Sequence, residues 1–469
     1  MDPVYSTDVR SGKVCSLLYD TLVKFDNDIN IIPSISHKWI IDDDDNTYTF
    51  FIKKNIKFHN GIILTSHHIK KTFERTANKE TLSPRAWIFE KIEGYAEFRK
   101  GRINNISGIK AINDTTLQIL LKDRFTPFLS LLATPSASIT LTDSLGIYGT
   151  GPWKLSNRMI DGHLDFNRNE EYFNNAPIME KLRIRILPEA LPRIAEFVTG
   201  YLDIMEIPDS EYEDWHNDTT WNNNIVSQDE LNTYYIGLNC QKPPFDNINV
   251  RRAVNYAIDI DNIIFHVLSN KATKSKGPIP PGLLSYKQKY PYNYNINKAK
   301  QLLNESGFSN GFNVTLWQSQ SQQNSLITEV IQSELSKIGI TIEIKKSDWN
   351  TFTQAIREGV PEMYYRSWYA DYPDAENFLT PLFESTISKK RWNRYSNQTL
   401  DTLLIEIQAE PNKIIRNKMI YKANQIIIQD APWIFLWHTK TAYITNNKIK
   451  NWTPSIMFNA ENYTKVWKE

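Results

Sequence analysis

The sequence predicts a mixed α/β protein of more than one domain, and three observations carry that expectation. At 469 residues the chain exceeds the roughly 250 to 300 at which one hydrophobic core stops growing, so two or three domains sharing a cleft are expected. Residues 313–344 read as strand, helix and strand, and a second such succession runs through residues 178–207. Between Tyr148 and Trp153 the segment YGTGPW carries two glycines and a proline, enough to break any element and mark a boundary.

Taken in chain order, SHKWII, the acidic run Asp42 to Asp45 with Asn46, and TYTFFIKK read as strand, turn and strand. The acidic run is a solvated hairpin tip, because it lacks the spaced acids, glycine and terminal glutamate of a calcium loop. From Thr65, LTSHHIKKTFERT has helical spacing through Ile69 and Phe73 and a Thr or Ser cap. Gly108 to Leu121 returns to strand about an NDTT turn. YGTGPW has no lysine in the place a phosphate loop requires and completes no GxGxxG pattern, which makes it a tight turn. IMEKLRIRIL alternates as a strand, PEALPRIAEFVTG reads as a helix closed by Gly200, and LDIMEI is the next strand. One helix is expected from Val250 to about Leu268. The strongest local signal is NVTLWQ, then Leu326, Ile327, Val330, Ile331, Leu335 and Ile338 on one helical face, a cap at Gly339, and ITIEI. This βαβ unit implies a parallel sheet with a right-handed crossover. A further helix is expected from Lys413 to about Gln429.

Composition narrows the function. With 54 basic and 53 acidic residues the net charge is +1, and no segment is basic enough to neutralise a nucleic-acid backbone, so no nucleic-acid partner is expected. Aromatics at 12%, with 13 Trp and 23 Tyr, suit an amphipathic ligand surface as well as core packing. No apolar run approaches the roughly 18 to 20 residues of a membrane helix. The opening MDPVYSTDVRSG lacks the pattern of a secretory signal, which leaves a cytoplasmic protein or one whose signal lies outside this sequence. Cys15 and Cys240 form no metal spacing; each reads as a buried thiol, with a bridge between them left open. None of the eight histidines makes a metal motif, and His67 and His68 would point about 100° apart on a helix. Without a GxSxG elbow or a nucleophile signature, nucleophilic catalysis has no support.

The richest segment is RSWYADYPDAENFL, Arg366 to Leu379, with aromatics, acids and a proline about one strand end. Asp371 follows the strand-like RSWYA and is placed to accept hydrogen bonds from an ammonium group, while Trp368 and Tyr369 cover apolar parts of a ligand. Asp374 and Glu376 read as exposed cap residues. Paired acids among aromatics also suit glycoside hydrolysis, the rival reading from a different class.

Several further stretches stand in a fixed order: MDPVYSTDVRSGKVCSLLYDTLV, the hairpin running into IKFHNGIILTSHHI, YGTGPWKL, NTYYIGLNCQKPPFDNINVRRAVNYAIDIDNII, NINKAKQLLNESGF and WYADYPDAENFLTPLF. In this order, end to end, the chain resembles the extracellular solute-binding proteins of peptide and nickel import systems, the class that includes oligopeptide- and dipeptide-binding proteins. The resemblance implies an α/β, two-lobed periplasmic-binding-protein fold with an extra inserted subdomain and hinge strands near residues 236 and 437. Lobe I would comprise 1–29, 148–236 and 438–469, its inserted subdomain 30–147, and lobe II 237–437.

By the same resemblance Asp371 would pair with a peptide's α-ammonium, and Ser367, Trp368 and Tyr369 would lie along the peptide backbone. Thr7, Asp8 and Val9 would form the opposing strand. Tyr365 stands where relatives have an arginine, with Arg366 next to it as the candidate anchor for a ligand carboxylate, and His68 stands where an acid is usual. Relatives carry a strand before the segment matching MDP, so a signal and first strand are expected to lie outside this sequence. Nickel-type members lack the ADYP-like segment, which turns the expectation toward peptides. The protein is thus expected to be a non-enzymatic monomer without metal or cofactor. It would capture a short peptide in the periplasm, or at the outer face of the cytoplasmic membrane, for the membrane permease of an ABC importer. A chelated metal, sugar or opine is the alternative ligand.

Overall fold

The computed structural model describes residues 1–42, 44, 46–160, 162–208, 211–283, 285–286, 289–457 and 463–469. The chain forms two compact units, Met1–Pro208 with Asp214–Gln228 and Ala442–Glu469, and Asp229–Thr441 with Asp209–Glu213. The chain therefore passes from one unit to the other at 208/209, 213/214, 228/229 and 441/442.

In the first unit, α1 (Val9–Leu18) starts where the Asp8 carboxylate takes the Ser11 N–H at 2.9 Å, satisfying an amide the helix cannot. The strands β1 (Ser36–Ile41) and β2 (Thr47–Ile52) form the expected hairpin, and Asp42 closes its tip by accepting from Asn46 N and Thr47 N, each at 3.0 Å. Asp43 and Asp45 lie outside the described residues. Next come α2 (Ser66–Ala77) and a second hairpin, β3 (Ile109–Asn113) with β4 (Thr116–Leu120), giving a four-stranded antiparallel sheet in the order β1-β2-β4-β3. Phe73 of α2 meets Phe89 at 4.6 Å between ring centroids, and Phe50, Leu117 and Ile119 are fully buried. His68 caps α2: its Nδ1 accepts the Thr65 N–H at 3.0 Å. Burial, with Lys71 and His67 nearby, lowers its pKa and keeps the ring neutral enough to accept.

YGTGPW is a tight turn pressed against the end of α1. A Cβ on Gly149 or Gly151 would collide with the backbone of Leu17 and Leu18, and the Gly151 N–H donates to the Leu18 carbonyl at 3.0 Å. The Thr150 hydroxyl and the Tyr172 hydroxyl each donate to the fully buried Asp20 carboxylate at 2.9 Å. Burial raises the pKa of Asp20, against the pull of Lys24 and these two donors.

Beyond the turn, β5 (Trp153–Ile160), β6 (His163–Arg168) and β7 (Lys181–Arg185) form an antiparallel sheet over Val14, Leu17, Trp153 and Phe166. Then follow α3 (Ala190–Val198) and β8 (Ile204–Glu206). The elements match the sequence reading, but not the single strand-helix-strand unit it implied: β7 pairs with β6, whereas β8 pairs with residues 443–445 in another sheet. The helix explains the difference, since it buries only Phe197 and leaves Leu191 and Val198 exposed, so it covers no sheet as a crossover would.

The second unit opens with β9 (Asn232–Leu238), α4 (Ile248–Tyr256) and α5 (Ile260–Val267). One helix was expected here; the chain instead breaks at 257–259, where Asp259 caps a new start by accepting the Asn262 N–H at 3.1 Å. After β10 (Ala272–Lys274) the expected βαβ unit follows, with β11 (Phe312–Ser319), α6 (Gln322–Ser336) and β12 (Ile340–Ser347). The two strands pair in parallel from Phe312↔Ile340 to Ser319↔Ser347. Of the six residues assigned to the helix face, Leu326 is 50% exposed. Thr328 is buried instead, its hydroxyl hydrogen-bonded to Gln318 Oε1 at 3.0 Å. The remaining elements used below are α7 (Trp349–Glu358), β13 (Met363–Tyr369), α8 (Lys413–Asp430) and β14 (Trp433–Thr445). The sheet of this unit runs β14-β9-β13-β11-β12, with β10 also on β14. One face closes a core of Val250, Leu316, Ile331, Met363, Tyr365 and Trp437.

Cys15 and Cys240 are both free, which closes the question of a bridge; burial pushes their thiols up to about 12 and about 11, so neither is reactive near neutrality. Two histidines sit on backbone carbonyls, the half-buried His59 through Nε2 on Gly151 at 3.0 Å and the buried His438 through Nδ1 on Asn232 at 2.7 Å. Burial pushes both down from 6.5 to about 4. As pH falls the unfolded chain therefore protonates first. The contribution of these residues is complete above pH 6.5 and is lost between there and about pH 4. At about 1.4 kcal/mol per pKa unit, His438 alone removes about 3 kcal/mol over that interval. Urea unfolding at pH 7 and pH 4.5 should show the fall, and His438→Asn should flatten it.

Candidate ligand-binding site

Strand β13 carries most of the predicted site. Along one side it pairs antiparallel with β9 over its whole length, from Met363↔Leu238 to Tyr369↔Asn232. Asn239 N–H donates to Glu362 O at 2.9 Å and Ala370 N–H to Leu231 O at 2.8 Å, so the even-numbered residues exchange the hydrogen bonds with β9. The amides and carbonyls of Tyr365, Ser367 and Tyr369 then point to the opposite side. There β11 pairs only with Met363 and Tyr364. Ser367 and Tyr369 thus direct two N–H and two C=O groups along an edge that, among the described residues, no strand occupies.

Side chains alternate across the same strand. Tyr365 enters the core beside Tyr234 and is buried, so it is no substitute for an arginine at a ligand. Tyr369 is 38% exposed and its hydroxyl meets that of Tyr234 at 3.0 Å. Tyr364, Arg366 and Trp368 take the other face. The Arg366 guanidinium lies between two indoles, 4.9 Å from the Trp349 ring and 4.8 Å from the Trp392 ring. Trp368 meets Trp392 edge-on at 6.0 Å. Trp349 and Trp392 were not anticipated. Trp349 had one usable signal: it follows Asp348 at the start of a helix just past the carboxyl end of a parallel strand, where ligands meet α/β sheets. Trp392 had none.

The loop after β13 is fixed by its acids. Asp371 stands two residues past the strand, and its N–H donates to Asn377 Oδ1 at 2.9 Å. Asp374 does cap a short helical turn, Ala375–Phe378, but neither it nor Glu376 is an exposed residue as the sequence suggested. Asp374 forms a two-pronged ion pair with Arg416 of α8, both bonds 2.8 Å, with side-chain exposures of 14% and 5%. Glu376 is buried, accepting from the Tyr372 hydroxyl and from Gln408 Nε2 at 2.7 Å. Asp374 and Glu376 hold the loop with their carboxylates, which leaves neither to pair with Asp371 in glycoside chemistry.

The remaining predicted residues differ from expectation. Thr7, Asp8 and Val9 form no strand: Asp8 is the cap of α1 and Val9 its first residue. Burial raises and the Ser11 hydroxyl and amide lower the Asp8 pKa, with a net lowering that suits a capping carboxylate. A cavity of about 690 Å³ in the second unit is lined by Trp317, Trp349, Asn350, Thr353, Gln354 and Glu358, among others. It contains none of the predicted site residues, whereas the edge of β13 offers directed backbone groups.

A strand edge and an aromatic face suit a protein that binds. Comparison with known proteins agrees. Residues 30–390 match the family of bacterial extracellular solute-binding proteins, family 5, and the chain belongs to that family. It is a solute-binding protein and not an enzyme. It is 29% identical to heme-binding protein A of Haemophilus influenzae, over 93% of this chain and 84% of that protein. It is 26% identical to the dipeptide-binding protein of Escherichia coli, over 93% and 86%. The periplasmic binding protein DppA of Helicobacter pylori, solved with the peptide STSA, superimposes with a TM-score of 0.83 at 28% identity, covering 100% of this chain and 95% of that one.

Removing one partner of a buried ion pair leaves the other charge uncompensated, at a cost of about 3 to 5 kcal/mol. Asp374→Ala should lose stability of that order in urea unfolding, by stranding Arg416. Glu384→Ala, at a half-buried helix cap, should cost about 1 kcal/mol.

Proposed function

We propose that the protein captures short peptides along the open edge of β13 and delivers them to the permease of an ABC importer. Extended peptides add to sheet edges through main-chain hydrogen bonds, which give affinity without regard to side chains. The observation that carries the reading is the unpaired edge at Ser367 and Tyr369. Asp371, two residues beyond the strand, receives the peptide's α-ammonium, and Trp368 and Tyr369 line the path on its two sides. The Escherichia coli and Helicobacter pylori relatives, named for a dipeptide and solved with a tetrapeptide, support this chemistry. The protein works outside the cytoplasmic membrane, as family members do, and as a monomer.

Haem is the second reading, favoured by the name of the Haemophilus influenzae relative. Native mass spectrometry of the purified protein separates the two: a retained peptide supports the first, whereas a retained haem with its Soret absorbance would replace it.

Truncating one partner of a desolvated charge pair costs about 2 to 5 kcal/mol. Asp371→Ala should therefore weaken tripeptide binding at least about thirtyfold by calorimetry. N-acetylation of the peptide should do the same to the native protein. Equal affinity for free and acetylated peptide would rule out the ammonium role.

A further inference from the structure

The open edge of β13 ends one amide sooner than the path of the backbone requires. The row of groups that faces away from β9 takes every second residue, Tyr365, Ser367 and Tyr369, and Asp371 is the next in that row. The chain is still in register with β9 just before it, because the Ala370 N–H donates to Leu231 O at 2.8 Å. The Asp371 N–H stands, by this alternation, as the third donor for an added strand. It is instead taken by the side-chain carbonyl of Asn377 at 2.9 Å. Asn377 reaches it from the short helical turn Ala375–Phe378, is 1% exposed, and has its own N–H on Asp374 O at 3.0 Å. Arg416 holds Asp374 and Gln408 holds Glu376, so the carbonyl that meets Asp371 projects from a braced loop. An asparagine side chain carries the same C=O group as a peptide bond, which lets Asn377 imitate one residue of a neighbouring strand.

We infer that Asn377 is the stop that sets the ligand's register: its side-chain carbonyl fills, at Asp371, the place that one more residue of an added strand would fill. This inference rests on the peptide reading and deepens it. That reading gives Asp371 a charge to pair with, but nothing that keeps a longer chain from sliding past it. Main-chain bonding alone is indifferent to register, since each residue of an extended peptide offers the same groups. With the amides of Ser367 and Tyr369 open and that of Asp371 filled, the row ends where the Asp371 carboxylate begins. A peptide is therefore seated with its α-ammonium at that point. A ligand blocked or extended at its amino end meets a filled amide as well as losing the charge pair, so the ligand class is peptides with a free amino terminus.

The test uses the whole protein and two probes, the tripeptide Ala-Ala-Ala and its N-acetylated form, with affinities read by calorimetry. In Asn377→Ala the Asp371 N–H is released, and the acetyl carbonyl of the blocked peptide is placed to accept it. The acetylated peptide should bind Asn377→Ala about fivefold more tightly than it binds the native protein, the gain of one hydrogen bond. The free tripeptide lacks a carbonyl before its first residue and should gain nothing. A loosened loop would weaken both peptides, so a gain by the blocked one alone is not an effect of stability. Asn377→Ser, whose hydroxyl is too short to reach the amide, gives the same reading if the alanine variant does not fold. If the acetylated peptide binds the folded variant no more tightly than the native protein, while the native protein still prefers the free peptide, the inference is overturned and the ammonium role of Asp371 stands. A native protein that binds both peptides equally, or neither, overturns that role or the peptide reading itself, and this inference with it.

Discussion

Backbone that can hydrogen-bond in two directions but is paired in only one is the constraint around which the second unit is arranged. Strand β13 satisfies β9 along its full length and leaves β11 after two residues. Such an edge invites aggregation unless something manages it. Here the unpaired stretch is short, ends at a loop fixed by buried acids, and is flanked by aromatic side chains on both faces. Those devices are what distinguish a selective edge from a sticky one.

Rigidity around the edge comes from two sources of different kind. On one face Tyr235 of β9 stacks on Trp433 of β14, with centroids 3.5 Å apart and planes within 8°, and Phe383 packs against the same indole at 4.5 Å. Beyond the strand end, the Asp374–Arg416 pair and the Tyr372–Glu376–Gln408 chain tie the loop to the body of the unit. The aromatic stack fixes the plane of the sheet. The polar network fixes where the chain goes when it leaves that plane, and hence where Asp371 stands.

What the sequence made legible was whatever is encoded locally. The unit from Phe312 to Ser347 was readable because its periods change cleanly from two to three and a half and its ends carry caps. The break at 257–259 was not, because apolar residues continue at helical spacing on both sides and only Asp259 marks the new start. Sheet membership was hidden too: nothing near β7 or β8 says that one joins β6 and the other β14. At the site, Asp371 and its strand were visible as a pattern, whereas Asp374 and Glu376 looked exposed because their partners, Arg416 and Gln408, lie 42 and 32 residues away. The pairing of Arg366 with Trp349 and Trp392 was invisible for the same reason.

The histidine that caps α2 carries a consequence of its own. A carboxylate and a neutral imidazole can both accept the Thr65 amide, but acid disables them differently. A carboxylate that takes a proton becomes neutral and merely lets go. His68 would become a cation at the helix end where the peptide dipoles are already positive, so it would turn from an acceptor into a repulsive group. The first turn of α2 therefore has an acid-labile latch, and one that opens by reversal of sign rather than by loss of charge.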